Sequence, residues 1–281
     1  MSRPAGWLIA LGIYRVGMAY GQARESTRAS LIAAALTLPF GLVLFGWNDL
    51  ADAASDRDNP RKGTWLHGAR VDASNAGATR AAVGSAAALI LGGAVALALR
   101  GQAAPGLGSD RGSAALLAAS VALAWAYSAR PLRLKEVPIV DGVCSAASIS
   151  ALLALGFLQG HPSLQVPREP LAFVPAIVGL HTFATVMDRD SDRSARHRTL
   201  AVRIGARATA AVALGITLLT VAAIPFVELA PVIAAVAVFQ AAVMAAHVAA
   251  PRWLSARAAF VVIGLASAGG LAWLVFVYLA A

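Results

Sequence analysis

Asn48, Asp52 and Asp56 recur at intervals of four in Phe45-Gly46-Trp47-Asn48-Asp49-Leu50-Ala51-Asp52-Ala53-Ala54-Ser55-Asp56, where a long apolar run turns polar. On a helix, positions i, i+4 and i+8 fall on nearly one face, so these side chains form a stripe of two carboxylates and an amide. Like charges at that spacing repel, and the stripe costs stability unless a cation sits on it. Asp188 and Asp192, in Met187-Asp188-Arg189-Asp190-Ser191-Asp192-Arg193, repeat the interval. Neither stretch contains His or Cys, which argues against zinc. Oxygen ligands alone suit a hard cation, and Mg2+ takes one or two carboxylates and completes its shell with water and substrate phosphates. The competing reading is that loop acids merely balance nearby arginines. Against it, eight of the 14 acidic residues (Asp49, Asp52, Asp56, Asp58, Asp72, Asp188, Asp190 and Asp192) lie in these two regions.

A phosphate substrate also needs cations from the protein. Tyr127-Ser128-Ala129-Arg130-Pro131-Leu132-Arg133-Leu134-Lys135 offers two hydroxyls, the guanidinium forks of Arg130 and Arg133, and the Lys135 ammonium. A basic loop is also the default signal of membrane topology, so its weight comes from the acids. Carboxylates, a divalent cation, phosphate and lipid-facing walls together suggest a diphosphate with a long apolar tail.

The elements that position these groups follow from composition. The chain has 281 residues, 59% hydrophobic and 13% charged, with a mean hydropathy of +0.70. A soluble domain carries about a quarter charged residues, so the solvent here is lipid. Apolar runs of membrane-crossing length recur throughout and predict about nine transmembrane helices. They cover 7–23, 29–47, 81–99, 113–128, 139–158, 170–187, 208–226, 229–249 and 258–280. The first holds Arg15 and lacks the short apolar region and cleavage pattern of a secretory signal. No linker divides the chain, so the expected fold is one all-α integral membrane domain over residues 1–281. Cys144 is the only cysteine, which excludes an intrachain disulfide or a cysteine metal cluster.

The net charge of +9 would suit nucleic acid if it were not so unevenly spread. With the N-terminus in the cytoplasm, seventeen of the 23 Lys and Arg fall in inner loops and five in outer ones. That is the positive-inside bias, and it predicts no nucleic-acid partner. Spans two and six then both run inward, so both acid stripes emerge at the cytoplasmic face.

Asn48-x-x-x-Asp52-x-x-x-Asp56, Tyr127-Ser-x-x-Pro131-x-x-x-Lys135 and Asp188-x-x-x-Asp192 resemble the three cytoplasmic signatures of the UbiA superfamily of intramembrane prenyltransferases. The resemblance implies helices around a central cavity, with cytoplasmic cap segments after helices 2 and 6. It implies that Asn48, Asp52, Asp56, Asp188 and Asp192 hold Mg2+ on a prenyl diphosphate, with the aspartates catalytic. Tyr127, Ser128, Arg130, Arg133 and Lys135 are expected near the diphosphate, and Asp49, Arg61, Lys62 and Arg196 are further candidates.

Asp58-Asn59-Pro60-Arg61-Lys62-Gly63, the run from Tyr127 to Pro138 with Asp141, and Asp192-Arg193 followed by Thr199 are similar to the lycopene elongase-like members. They point to a carotenoid acceptor. Where the second acid motif commonly continues to Gly or Gly-Asp, this chain has Ala195-Arg196-His197. An aromatic-acid or quinone-precursor acceptor, or a terpene cyclase outcome, stays open. A cation-coupled transporter is the rival class, but its site would sit near the midplane rather than at helix ends on one side.

Among other residues, Arg15 is read as snorkelling from a helix and His181 as a hydrogen-bonded core residue on the Asp188 face. Asp141 is read as capping a helix or orienting Lys135. Tyr14, Tyr20, Trp47, Trp125 and Phe183 suit interfacial anchoring better than carbocation shielding. Gly92-Gly93-Ala94 suggests close helix packing.

Overall fold

The computed structural model describes residues 3–53, 56, 70–103, 108–162, 171–194, 196–227 and 230–280. Every regular element among them is helical. The long helices are α1 (Pro4–Tyr20), α2 (Thr27–Ala51), α3 (Ala76–Ala103), α4 (Gly108–Ser128), α5 (Val140–Phe157), α6 (Val174–Ser194), α7 (Ala206–Ala223), α8 (Pro231–Ala249) and α9 (Ala256–Ala280). Short turns at Leu134–Glu136, Leu200–Ile204 and Ile224–Phe226 join them. Among the described residues, six stretches are long and apolar enough to cross a membrane: Thr27–Ala51, Ala76–Gly101, Val140–Phe157, Ala206–Phe226, Pro231–Ala249 and Ala256–Val277. The chain is a multi-pass membrane protein. α1 is short, while α4 starts and α6 ends among charged residues. The α6 helix runs past its apolar stretch to Ser194 and so carries the second acid stripe on regular turns.

The α2 segment is not smooth, contrary to the uniform span expected from hydropathy. Regular turns end at Ala35, and Thr37 leaves the helical region with ψ −116. Pro39 lies in the next turn and supplies no amide hydrogen. A π-helical turn, Leu42–Gly46, follows immediately before Trp47–Ala51. Such wide turns change the face on which later side chains emerge.

Two compact units arise by packing. The first comprises Met1–Arg133 and Ala151–Val166. Within it α1 lies against the end of α5 and the turn after it, with glycine at intervals of four on both sides. A Cβ on Gly17 would overlap the Leu153 carbonyl, and one on Gly156 the Tyr14 carbonyl. Gly21 and Gly160 repeat the approach one turn on, against the Phe157 and Gly21 carbonyls. Small residues at that interval let backbones touch. At Gly92 and Gly93, where the sequence suggested such contacts, nothing lies within 4 Å of an added Cβ.

Polar groups fasten the same unit. Arg28 pairs with buried Asp110 and donates to Ser109 Oγ (3.0 Å) and to the carbonyls of Leu158 (3.3 Å) and Gln159 (3.1 Å). Arg15 pairs with Glu25 in the loop after α1. Before α3, Asp72 accepts from the Ser74 amide (2.8 Å) and hydroxyl (2.5 Å), and these bonds hold its carboxyl below the usual carboxylate range.

The second unit comprises Leu134–Ser150 and Pro167–Ala281. Its core joins Phe183 and Val186 of α6, Ala210 and Ala213 of α7, Met244 of α8, and Ala259 and Ile263 of α9. Gly179 of α6 sits so close to α7 that a Cβ would overlap Thr217. Buried Gln240 donates to the Ala176 carbonyl (2.8 Å) and to Thr217 (3.0 Å), and the Ala176 amide donates to Thr220 (2.9 Å). These bonds pair Gln240 with Thr217 and tie Gln240 and Thr220 to the α6 backbone, so α6 is held firmly beneath its acidic end.

Candidate active site

The first acid stripe keeps its helical interval beyond the helix itself. α2 ends at Ala51, yet the Asp52 amide donates to the Asn48 carbonyl (3.0 Å) and the Asp56 amide to the Asp52 carbonyl (2.8 Å). Asn48 and Asp52 are half-buried and Asp56 is buried. The basic segment reaches this stripe. Ser128 Oγ donates to Asn48 Oδ1 at 3.5 Å, Arg133 Nη2 to Asp52 Oδ1 at 3.0 Å, and Arg133 Nη1 to the Ala51 carbonyl at 3.4 Å. Arg133 has a left-handed backbone (φ 40), and its amide donates to the Ala129 carbonyl (2.8 Å), so the chain doubles back there. Tyr127 is half-buried, and Arg130 is exposed beside a cis bond to Pro131.

Asp49 behaves differently from its neighbours. It is buried and pairs with Arg3 at 3.2 Å, and that guanidinium lies 4.7 Å over the Phe45 ring. Of the other candidates, Arg61 and Lys62 lie outside the described residues.

In the second unit, Asp188 and Asp192 are half-buried on the last turns of α6, while Asp190 is exposed and pairs with Arg189 at 2.9 Å. Lys135 and Glu136 are half-buried in the turn Leu134–Glu136. Arg196 is exposed with φ 57. His197 is the residue that sequence reasoning did not single out. Its Nδ1 lies 3.4 Å from Asp192 Oδ1 and its Nε2 3.8 Å from Glu136 Oε1. Thr199 donates to Asp192 Oδ2 at 3.0 Å. The signal for His197 was present only as the triplet Ala195-Arg196-His197, in which the chain departs from the family pattern. Deeper on α6, His181 meets Ser145 at 3.2 Å and interacts electrostatically with buried Asp141, which accepts the Gly142 amide at 2.7 Å.

Among the described residues, no group of three or more His, Cys, Asp or Glu side chains could hold a metal ion unaided. The candidate donors are instead paired carboxylates with an amide. This fits Mg2+, whose shell is completed by phosphate oxygens and water, and would not fit a metal caged by protein ligands.

The model of the UbiA prenyltransferase family matches residues 10–261. A lycopene elongase/hydratase from Halobacterium salinarum is 31% identical over 234 residues, covering 81% of this chain and 78% of that protein. One from Haloarcula japonica is 31% identical over 213 residues, covering 73% and 66%. Among solved structures, a UbiA homolog from Archaeoglobus fulgidus bound to DMAPP and Mg2+ has a TM-score of 0.69 at 20% identity, covering 100% of this chain and 98% of that one. The apo UbiA homolog from Aeropyrum pernix has a TM-score of 0.66 at 19% identity, covering 98% of each.

Proposed function

The chain belongs to the UbiA prenyltransferase family and is a prenyltransferase, and from that premise we propose that it transfers a prenyl group from an allylic diphosphate to a carotenoid of lycopene type. The observation that carries the reading is the meeting of Ser128 and Arg133 with Asn48 and Asp52, phosphate-type donors beside cation-type acceptors. The acceptor class is supported by the elongase relatives, and the donor and metal by structural neighbours bound to DMAPP or GPP with Mg2+. The apolar runs support nine crossings, the charge bias a cytoplasmic N-terminus with both acidic ends on that side, and the lack of a dividing linker in the sequence one domain over residues 1–281.

In this reading Asn48, Asp52, Asp56, Asp188 and Asp192 hold Mg2+ on the diphosphate. Mg2+ held by these residues would supply positive charge to offset the negative charge that builds on the diphosphate as the allylic carbon–oxygen bond breaks. Tyr127, Ser128, Arg130, Arg133 and Lys135 donate to phosphate oxygens and orient the leaving group. A terminal double bond of the acceptor attacks the allylic carbon while diphosphate departs with the electron pair. The acceptor cation then loses a proton, or adds water and loses a proton from the bound water oxygen. Apolar surroundings protect the cation from premature capture.

Mass spectrometry of lipids tests this. Purified protein in nanodiscs receives Mg2+, prenyl diphosphates of several lengths, and either lycopene or hydroxylated aromatic acids. A carotenoid heavier by five-carbon units is the expected product. A prenylated aromatic replaces the acceptor, a cyclic hydrocarbon indicates cyclisation, and no Mg2+-dependent diphosphate release with any substrate overturns the reading.

A further inference from the structure

We infer that Thr199 and His197 are positioning residues for the second carboxylate pair, fixing Asp192 and tying it to the turn that carries Lys135. The inference rests on the proposed role of Asp192 in holding Mg2+ on the diphosphate. Its basis is how the chain leaves α6. The His197 amide donates to the Asp192 carbonyl (2.8 Å) and the Arg196 amide to the Arg193 carbonyl (3.2 Å). With Arg196 left-handed, these are the paired bonds of a Schellman cap. The cap folds His197 back over the turn it has just left, and its ring meets Asp192 Oδ1 at 3.4 Å.

Thr199 supplies an independent observation. It is buried and extended at the N-terminus of the turn Leu200–Ile204, where a threonine hydroxyl ordinarily accepts an amide of its own helix. It makes no such bond and donates instead to Asp192 Oδ2 at 3.0 Å. Among the described residues, each Asp192 oxygen therefore has one hydrogen-bond partner. A carboxylate offers about four lone-pair sites, so both oxygens keep acceptor capacity for a cation.

Asp192 sits on the last turn of a helix that has left its apolar stretch. Two ties there remove rotamer freedom before the ion arrives, the usual work of groups behind a metal ligand. The far side of the His197 ring faces Glu136 at 3.8 Å, next in sequence to Lys135. One imidazole thus lies between the acid stripe and the turn bearing a proposed phosphate donor.

The test measures metal affinity apart from turnover. Mn2+ binding is followed by electron paramagnetic resonance with a non-hydrolysable prenyl thiolodiphosphate, and the Mg2+ requirement by diphosphate release. Thr199→Val is expected to weaken Mn2+ binding and raise the half-saturating Mg2+ about 10- to 100-fold, with Thr199→Ser restoring both. His197→Ala is expected to do the same by about tenfold, and it decides the matter if Thr199→Val fails to fold. Asp192→Asn separates the two levels. If it binds Mn2+ like the unmodified protein, the metal-holding role of Asp192 fails. If it loses binding while folded Thr199→Val and His197→Ala retain it, the positioning role is overturned.

Discussion

Arg133 Nη2 lies 3.0 Å from Asp52 Oδ1, a guanidinium of the basic segment against a carboxylate of the first acid stripe. Both side chains are half-buried, so the pair is screened less than a surface contact. The pairing holds together two groups that a metal diphosphate would use separately, the carboxylate for the cation and the fork for phosphate oxygens. Arg133→Ala is therefore expected to raise KM for the prenyl diphosphate about tenfold or more, with a smaller change in kcat. Arg133→Lys should recover little, because an ammonium cannot reproduce the planar fork. Steady-state diphosphate release checks both. A collapse of kcat at unchanged KM would show instead that Arg133 acts only in the transition state.

Neighbouring aspartates should separate by role. Asp52→Asn and Asp188→Asn are expected to lower turnover by at least about 100-fold, since each removes a charge meant for the metal, and to cost at most about 1 kcal/mol of stability, in Asp52→Asn through the lost Arg133 pair. Asp49→Asn should do the reverse, because Asp49 is buried against Arg3 rather than aligned with the stripe. Losing that charge costs about 2 kcal/mol, discounted because Arg3 is partly exposed. Thermal unfolding in nanodiscs and Mg2+ titration of activity distinguish the two patterns. Unchanged stability in Asp49→Asn together with lost metal dependence would place Asp49 at the metal.

Much of this was legible from residue types alone. Helix positions followed from apolar runs because lipid forces every buried backbone group into internal hydrogen bonds. The four-residue interval survived at Asp56 because backbone bonds carry helical geometry past Ala51. Features set by local backbone geometry were hidden. The π turn at Leu42–Gly46 has no compositional mark beyond Pro39 upstream. His197 meets Asp192 only because Arg196 turns left-handed, and hydropathy cannot report that. The meeting of Gly17 with Gly156 joins distant parts of the chain, so a glycine pair in sequence, such as Gly92-Gly93, proved the wrong guide.

That glycine contact makes a stability prediction away from the chemistry. Gly156→Leu places side-chain atoms where the Tyr14 carbonyl and the Met18 amide already lie. Backbone cannot yield as a side-chain tip can, so the expected loss is at least about 3 kcal/mol. Gly93→Ala, in open space, should be neutral or slightly stabilising. Thermal unfolding of the two variants in one lipid composition checks the contrast, and equal stability would contradict the close approach of α1 and α5.

Arg196 can be assigned by a substitution that separates its backbone from its side chain. Its φ of 57 is a conformation in which glycine carries no penalty and a non-glycine residue carries about 1 kcal/mol. The side chain is exposed, and its amide makes one of the two cap bonds. Arg196→Gly is therefore expected to keep the cap, hold His197 in place and leave stability equal or raised by up to about 1 kcal/mol. Arg196→Ala keeps the conformational penalty and removes the same charge. If Arg196 serves only the cap, both variants retain KM for the prenyl diphosphate and differ in thermal stability, glycine above alanine. If the guanidinium reaches a phosphate oxygen, both raise KM together by about tenfold, the loss of one charge-assisted hydrogen bond, whatever their stabilities.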